Sequence, residues 1–94
     1  MAVGAGVGYA FGMRVRVLYF GVLRERLGGD QDFLELTDSA TVAGVLNVYR
    51  ERAPGFAWDS IAVAVNQEYA RAEVELQDGD EVALLPPVSG GVEG

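Results

Sequence analysis

Val42, Val45, Leu46 and Tyr49 fall at i, i+3, i+4 and i+7, the main helical stripe in a sequence otherwise patterned largely for strands. Ser39 and Thr41 are candidate caps in front of it. Arg50 and Arg52 occupy its last turn, where the helix dipole favours cations, and Pro54-Gly55 closes it, so the spacing predicts a helix over about 41–52. A stripe at this spacing faces a core. The flanking segments supply the rest of that core. "RVRVLYF" (14–20) reads as a strand with Val15, Val17 and Tyr19 on one face and Leu18 and Phe20 on the other. "GVLRERLGG" (21–29) reads as a short helix with a glycine exit, and "DFLELT" (32–37) as a second strand. After the main helix, "FAWDS" is a connector whose Phe56 and Trp58 are expected to cover the sheet edge. "IAVAVN" (61–66) is a strand, Gln67-Glu68 a tight turn, and "YARAEVEL" a weaker extended return. Asp78-Gly79-Asp80 reads as a hairpin turn. "EVALLPP" (81–87) is the last strand, which Pro86 and Pro87 must end because neither can donate to a ladder. The fold class is α+β, and no period of 20 to 50 residues suggests a solenoid.

At 94 residues, half of them apolar, the chain makes one domain with one core. It holds no cysteine and no histidine. Disulfides, thiolate metal sites, cysteine nucleophiles and serine–histidine chemistry are therefore excluded, and no metal site is expected. Asp30 with Asp32, and Asp78, Asp80 and Glu81, lack the further ligands of a calcium loop. The glycine-rich stretches lack the lysine of a phosphate loop. A formal charge of −7 argues against a nucleic-acid partner and favours solubility or attraction to a basic protein surface. The first twelve residues, "MAVGAGVGYAFG", are too short and glycine-rich to span a membrane and lack the basic start of a signal peptide; they read as a leader outside the fold.

Beyond the last strand the chain changes character. Pro86-Pro87 makes a stiff, extended exit, and after Val88 and Ser89 the pair Gly90-Gly91 carries no side chain at all. Such a segment threads a narrow channel and brings its final carbonyl against another protein's catalytic groups. A loose linker is the other meaning of the same glycines.

Three stretches, "RVLYFGVLRERLG", "IAVAVNQEYA" and "LQDGDEVALLPPVSGG", together resemble the small-subunit family of molybdopterin synthase, ubiquitin-like sulfur carriers of the β-grasp fold. The resemblance covers residues 13–91. Thiamine-type carriers share the diglycine but usually lack the "PPV" exit. The resemblance implies a domain over 13–88, a tail over 89–94, and a mixed sheet in which strands 14–20 and 81–86 run parallel; their apolar content, greatest among the strands, suits them to its centre. It further implies that Gly91 is adenylated by an E1-like activating enzyme, which uses the ATP, and then converted to a thiocarboxylate. The tail would enter the large synthase subunit, in the cytoplasm, and hand its sulfur to a pterin precursor. The chain itself would bind no cofactor and hold no catalytic site of its own. On this pattern Gly90 gives steric access, and Pro86, Pro87, Val88 and Ser89 line the partner's channel. Leu18, Phe20 and Leu85, on the face away from the main helix by alternation, are candidates for a docking patch, with core packing as their other role. A ubiquitin-like protein modifier, or a carrier for thiamine, tRNA thiolation or cysteine, would use the same tail.

One feature departs from the family pattern: Val92-Glu93-Gly94 follow the diglycine. An internal glycine has an amide where activation needs a carboxylate. Either a protease trims the three residues, or they are a fusion remnant, or the chain is not a carrier.

Overall fold

A computed structural model describes residues 12–87. Its elements are β1 (Met13–Tyr19), α1 (Val22–Leu27), β2 (Gln31–Leu36), α2 (Val42–Arg52), a 3₁₀ turn (Trp58–Ser60), β3 (Ala62–Val65), β4 (Glu68–Tyr69) and β5 (Glu81–Leu85). They build a five-stranded mixed sheet in the order β2-β1-β5-β3-β4. β1 and β5 run parallel, with Val17 beside Val82 and Tyr19 beside Leu84, and every other pair is antiparallel. The two strands richest in buried apolar side chains lie side by side, because only there are both of their edges covered. Alternation then divides β1 cleanly. Val15, Val17 and Tyr19 are buried, whereas Arg14 and Arg16 are exposed and Leu18 is half-buried.

α2 covers the apolar face. Thr41 caps it, its Oγ1 accepting from the Gly44 amide at 3.3 Å. Val42, Val45 and Tyr49 are buried, but Leu46, the fourth residue of the stripe, is only partly so. It lies on the helix flank, in a groove of about 340 Å³ shared with Ile61, Val63 and Tyr69. Val45→Ala is therefore expected to cost about 2 kcal/mol and Leu46→Ala less, although leucine is the larger side chain, because Leu46 leaves less surface to lose. Urea midpoints for the two variants check that order, and a larger loss at Leu46 would reverse the assignment.

Trp58 corrects the sequence reading. It does not cover the sheet edge; it is 2% exposed and sits in the core beneath the end of α2. Its indole Nε1 donates to the Ala53 carbonyl at 2.7 Å, satisfying the ring's only donor at the helix terminus. Phe56 packs against it at 5.1 Å between centroids, half-buried, with the Arg26 guanidinium over its outer side. Tyr49 lies between Trp58 and Tyr19 and shares a 2.9 Å hydrogen bond with the Tyr19 hydroxyl. Burial pushes the pKa of both phenols up from 10.0, so the pair stays protonated.

Two turns also differ. The β3–β4 turn is Asn66-Gln67, one residue earlier than expected, with φ of +52° and +74° as in a type I′ hairpin, and β4 is only two residues long. Asn tolerates this conformation; Gln gives no such signal in a sequence. Asp78-Gly79-Asp80 is not a hairpin turn, since β5 pairs with β1 and β3, not with the preceding segment. Its carboxylates instead pin three chain segments together. Asp78 accepts from the Arg14 amide at 2.8 Å, and Asp80 accepts from the Gln77 amide at 2.8 Å and from Asn66 Nδ2 at 2.9 Å. Among the described residues no helix is long and apolar enough to cross a membrane.

Candidate functional site

The C-terminal strand occupies the middle of the sheet, so the chain leaves the domain from the sheet's centre. Val82 and Leu84 are fully buried and anchor β5 on the helix side. Leu85 points the opposite way, beside Ala62 of β3 and one step beyond the Tyr19–Leu84 pair of β1. Leu18 on β1, and Phe20 just past its end, continue that outer face. Leu18 and Leu85 are half-buried, and Phe20 is 37% exposed, a large apolar ring left partly in water. These three side chains thus gather on the face away from α2, where the strand ends. Ala83, small and 9% exposed, sits beside Leu18 in the same face.

Pro86 is half-buried and Pro87 exposed. Beside Pro86 lies a residue that sequence reasoning passed over. Gly21, at φ +58°, lies directly against the Pro86 ring, and a Cβ there would come within 3.1 Å of Pro86 Cγ. The two are 65 positions apart, so only the parallel β1–β5 pairing brings them together. Gly21 also begins α1, whose Leu23 is fully buried and whose Gly28 ends it in the left-handed conformation. Arg24, one turn into α1, donates from Nε to the Tyr19 carbonyl at 3.3 Å and lays its guanidinium 5.8 Å from the Phe20 ring centre. The sequence offered no sign of that contact beyond an arginine four residues after a phenylalanine. Val88, Ser89, Gly90 and Gly91 lie outside the described residues, as does the leader except for Gly12, whose amide donates to the Leu36 carbonyl at 2.9 Å.

A mixed sheet wrapped on one main helix, with its last strand central and ending beside a partly exposed apolar cluster, defines the ubiquitin-like β-grasp class. A model of the ThiS family matches residues 17–91, and the chain belongs to that family. It is 41% identical over 85 residues to the molybdopterin synthase sulfur carrier subunit of Chlamydomonas reinhardtii, covering 84% of this chain and 100% of the relative. The small archaeal modifier protein 1 of Haloferax volcanii superposes with a TM-score of 0.71 at 29% identity, over 82% of this chain and all 100% of that one. A chain of the complex of subunits 1 and 2 of the molybdopterin-converting factor from Helicobacter pylori superposes with a TM-score of 0.61 at 27% identity, covering 84% and 100% of the two chains.

Proposed function

We propose that this chain is the sulfur carrier of a molybdopterin synthase. The observation that carries the reading is the tail's origin at the end of a buried central strand, beside the partly exposed cluster of Leu18, Phe20 and Leu85. The similarity to molybdopterin synthase sulfur carrier subunits supports it. In this reading the Gly91 carboxylate attacks the α-phosphate of ATP on an E1-like enzyme and releases pyrophosphate. Sulfide then displaces AMP from the acyl carbon, leaving a thiocarboxylate. The loaded tail enters the large subunit in the cytoplasm and transfers its sulfur to a pterin precursor, and water restores the carboxylate. A trimming protease first removes Val92-Glu93-Gly94. Gly90 and Gly91 fit the narrow channel, Pro86 to Ser89 line its mouth, and the apolar cluster docks on the partner's surface. The chain brings no cysteine or histidine to this chemistry, so a terminal acyl group is its natural sulfur-bearing atom set.

Docking is tested with Phe20→Asp. Phe20 is partly in water, so a charge there is expected to leave the thermal midpoint nearly unchanged while weakening binding to the large subunit by about tenfold or more. If the domain unfolds instead, Phe20 is core and the patch is misplaced.

The likeness to a small archaeal modifier favours one second reading, attachment of the same tail to lysines of other proteins. The sequence contains no lysine, all seven of its basic residues being arginine, so such a modifier would add single units and not build chains through itself. Ladders of conjugates, each rung a single unit on a further target lysine, would support that reading, and a thiocarboxylate with no conjugates would contradict it.

A further inference from the structure

Four of the seven arginines, Arg16, Arg50, Arg52 and Arg71, are held in ion pairs. Arg14, Arg24 and Arg26 are in none among the described residues, although acidic side chains outnumber basic ones fourteen to seven in the sequence, and of the three Arg24 is the one that lies over Phe20. Its position is nonetheless fixed. The neighbouring Leu23 is fully buried, Nε is committed to the Tyr19 carbonyl at 3.3 Å, and the guanidinium stands 5.8 Å from the centre of the Phe20 ring. A guanidinium has five N–H donors; one is engaged here and the four on its terminal nitrogens meet no carboxylate among the described residues. Such a fork has given up part of its conformational freedom before any ligand arrives, which lowers the entropic cost of the next contact. It also places a positive charge at the rim of an apolar cluster in a strongly acidic chain, opposite in sign to what the net charge of −7 would present to a partner.

We propose that Arg24 is a specificity-determining residue of the docking surface, taking a carboxylate side chain of the large subunit beside the apolar recess that receives Phe20. The inference rests on the carrier reading and adds the chemistry of the partner's surface to it. A planar fork held over the Phe20 ring matches a carboxylate in two-point geometry, and the apolar surface of the patch excludes water from the pair once the two surfaces meet. The large subunit is accordingly expected to carry an aspartate or glutamate at the edge of its apolar contact, so that an acidic carrier with the wrong docking face is rejected by like charge.

The test measures binding of the chain ending at Gly91 to the cognate large subunit by calorimetry, for the parent and for Arg24→Lys, Arg24→Ala, Arg24→Glu and Arg26→Glu. Arg26 serves as control because its guanidinium lies over Phe56, away from the patch. Arg24→Glu is expected to lose more than about tenfold in affinity and Arg24→Ala less, with Arg24→Lys recovering only part of the Arg24→Ala loss, because an ammonium keeps the charge but not the two-point fork, and Arg26→Glu within about twofold of the parent. Thermal midpoints of all four should match the parent, since both side chains are exposed. Raising the salt concentration should narrow the gap between parent and Arg24→Ala. Equal losses for Arg24→Ala and Arg24→Glu would mean that Arg24 acts only by packing on Phe20, and would overturn the proposal. So would an Arg24→Glu affinity no lower than that of Arg26→Glu while Phe20→Asp abolishes binding. A parent that does not bind the large subunit at all would instead remove the carrier reading itself.

Discussion

Given an E1-like activating enzyme, ATP and a sulfide source, the chain shortened to end at Gly91 is expected to gain the mass difference of one oxygen-to-sulfur exchange, whereas the 94-residue chain gains nothing. Gly91 offers a carboxylate only in the shortened chain; the free carboxylate of the longer chain is on Gly94, behind Val92 and the anionic Glu93, side chains that a channel shaped for bare backbone and a site holding ATP phosphates both disfavour. At the shortened end the adenylating step finds a carboxylate oxygen. In the longer chain the same carbonyl belongs to an amide bonded to Val92, which is no nucleophile towards a phosphate. Gly91→Ala in the shortened chain is expected to react poorly, since a methyl group obstructs a channel shaped for bare backbone. Intact mass after reaction reads all three proteins. Conversion of the 94-residue chain without loss of its last three residues would show that Gly91 is not the reacting end.

The largest expected effect on stability lies elsewhere, at Trp58. Trp58→Ala empties a site that is 2% exposed, removes the ring packed on Tyr49 and Phe56, and leaves the Ala53 carbonyl without its 2.7 Å donor. Cavity formation on that scale costs about 3–5 kcal/mol, a large share of the stability of an ordinary domain. Trp58→Phe keeps an aromatic ring in the core but not the donor, and is expected to cost less, about 1–3 kcal/mol. Urea unfolding followed by far-UV circular dichroism checks both, with the slope unchanged. A loss under about 1 kcal/mol for Trp58→Ala would return the tryptophan to the periphery where the sequence reading had put it.

What could be read from the sequence depended on whether a pattern was local. β1 and α2 were legible because Val15, Val17 and Tyr19, and Val42, Val45 and Tyr49, each obey one period along a continuous element, and burial follows those periods. Leu46 obeyed the same helical spacing yet lies on the flank, because the stripe fixes a face and not its width. Trp58 was misplaced since no periodicity governs a connector of five residues. The Asn66-Gln67 turn was shifted because positive φ at a glutamine has no sequence signature. Around the tail exit, Leu18, Phe20, Leu85 and the two prolines were picked out by alternation and by the resemblance. Gly21 was not, because its contact with Pro86 exists only where β1 and β5 meet, and that pairing joins residues some 65 positions apart in sequence, as in Arg16 beside Glu81; Arg24 was not, because its contacts with Tyr19 and Phe20 are local and an arginine on a short exposed helix carries no distinguishing pattern.

β5 is bonded to a neighbour on each side, parallel to β1 and antiparallel to β3. A pull on the tail along the strand direction therefore loads two ladders at once in shear, so that many hydrogen bonds must fail together. An edge strand would be unzipped one bond at a time. The domain is in this sense a mechanical anchor: a partner that grips the tail and draws it into a channel can do so forcefully without unravelling the strand from which the tail hangs.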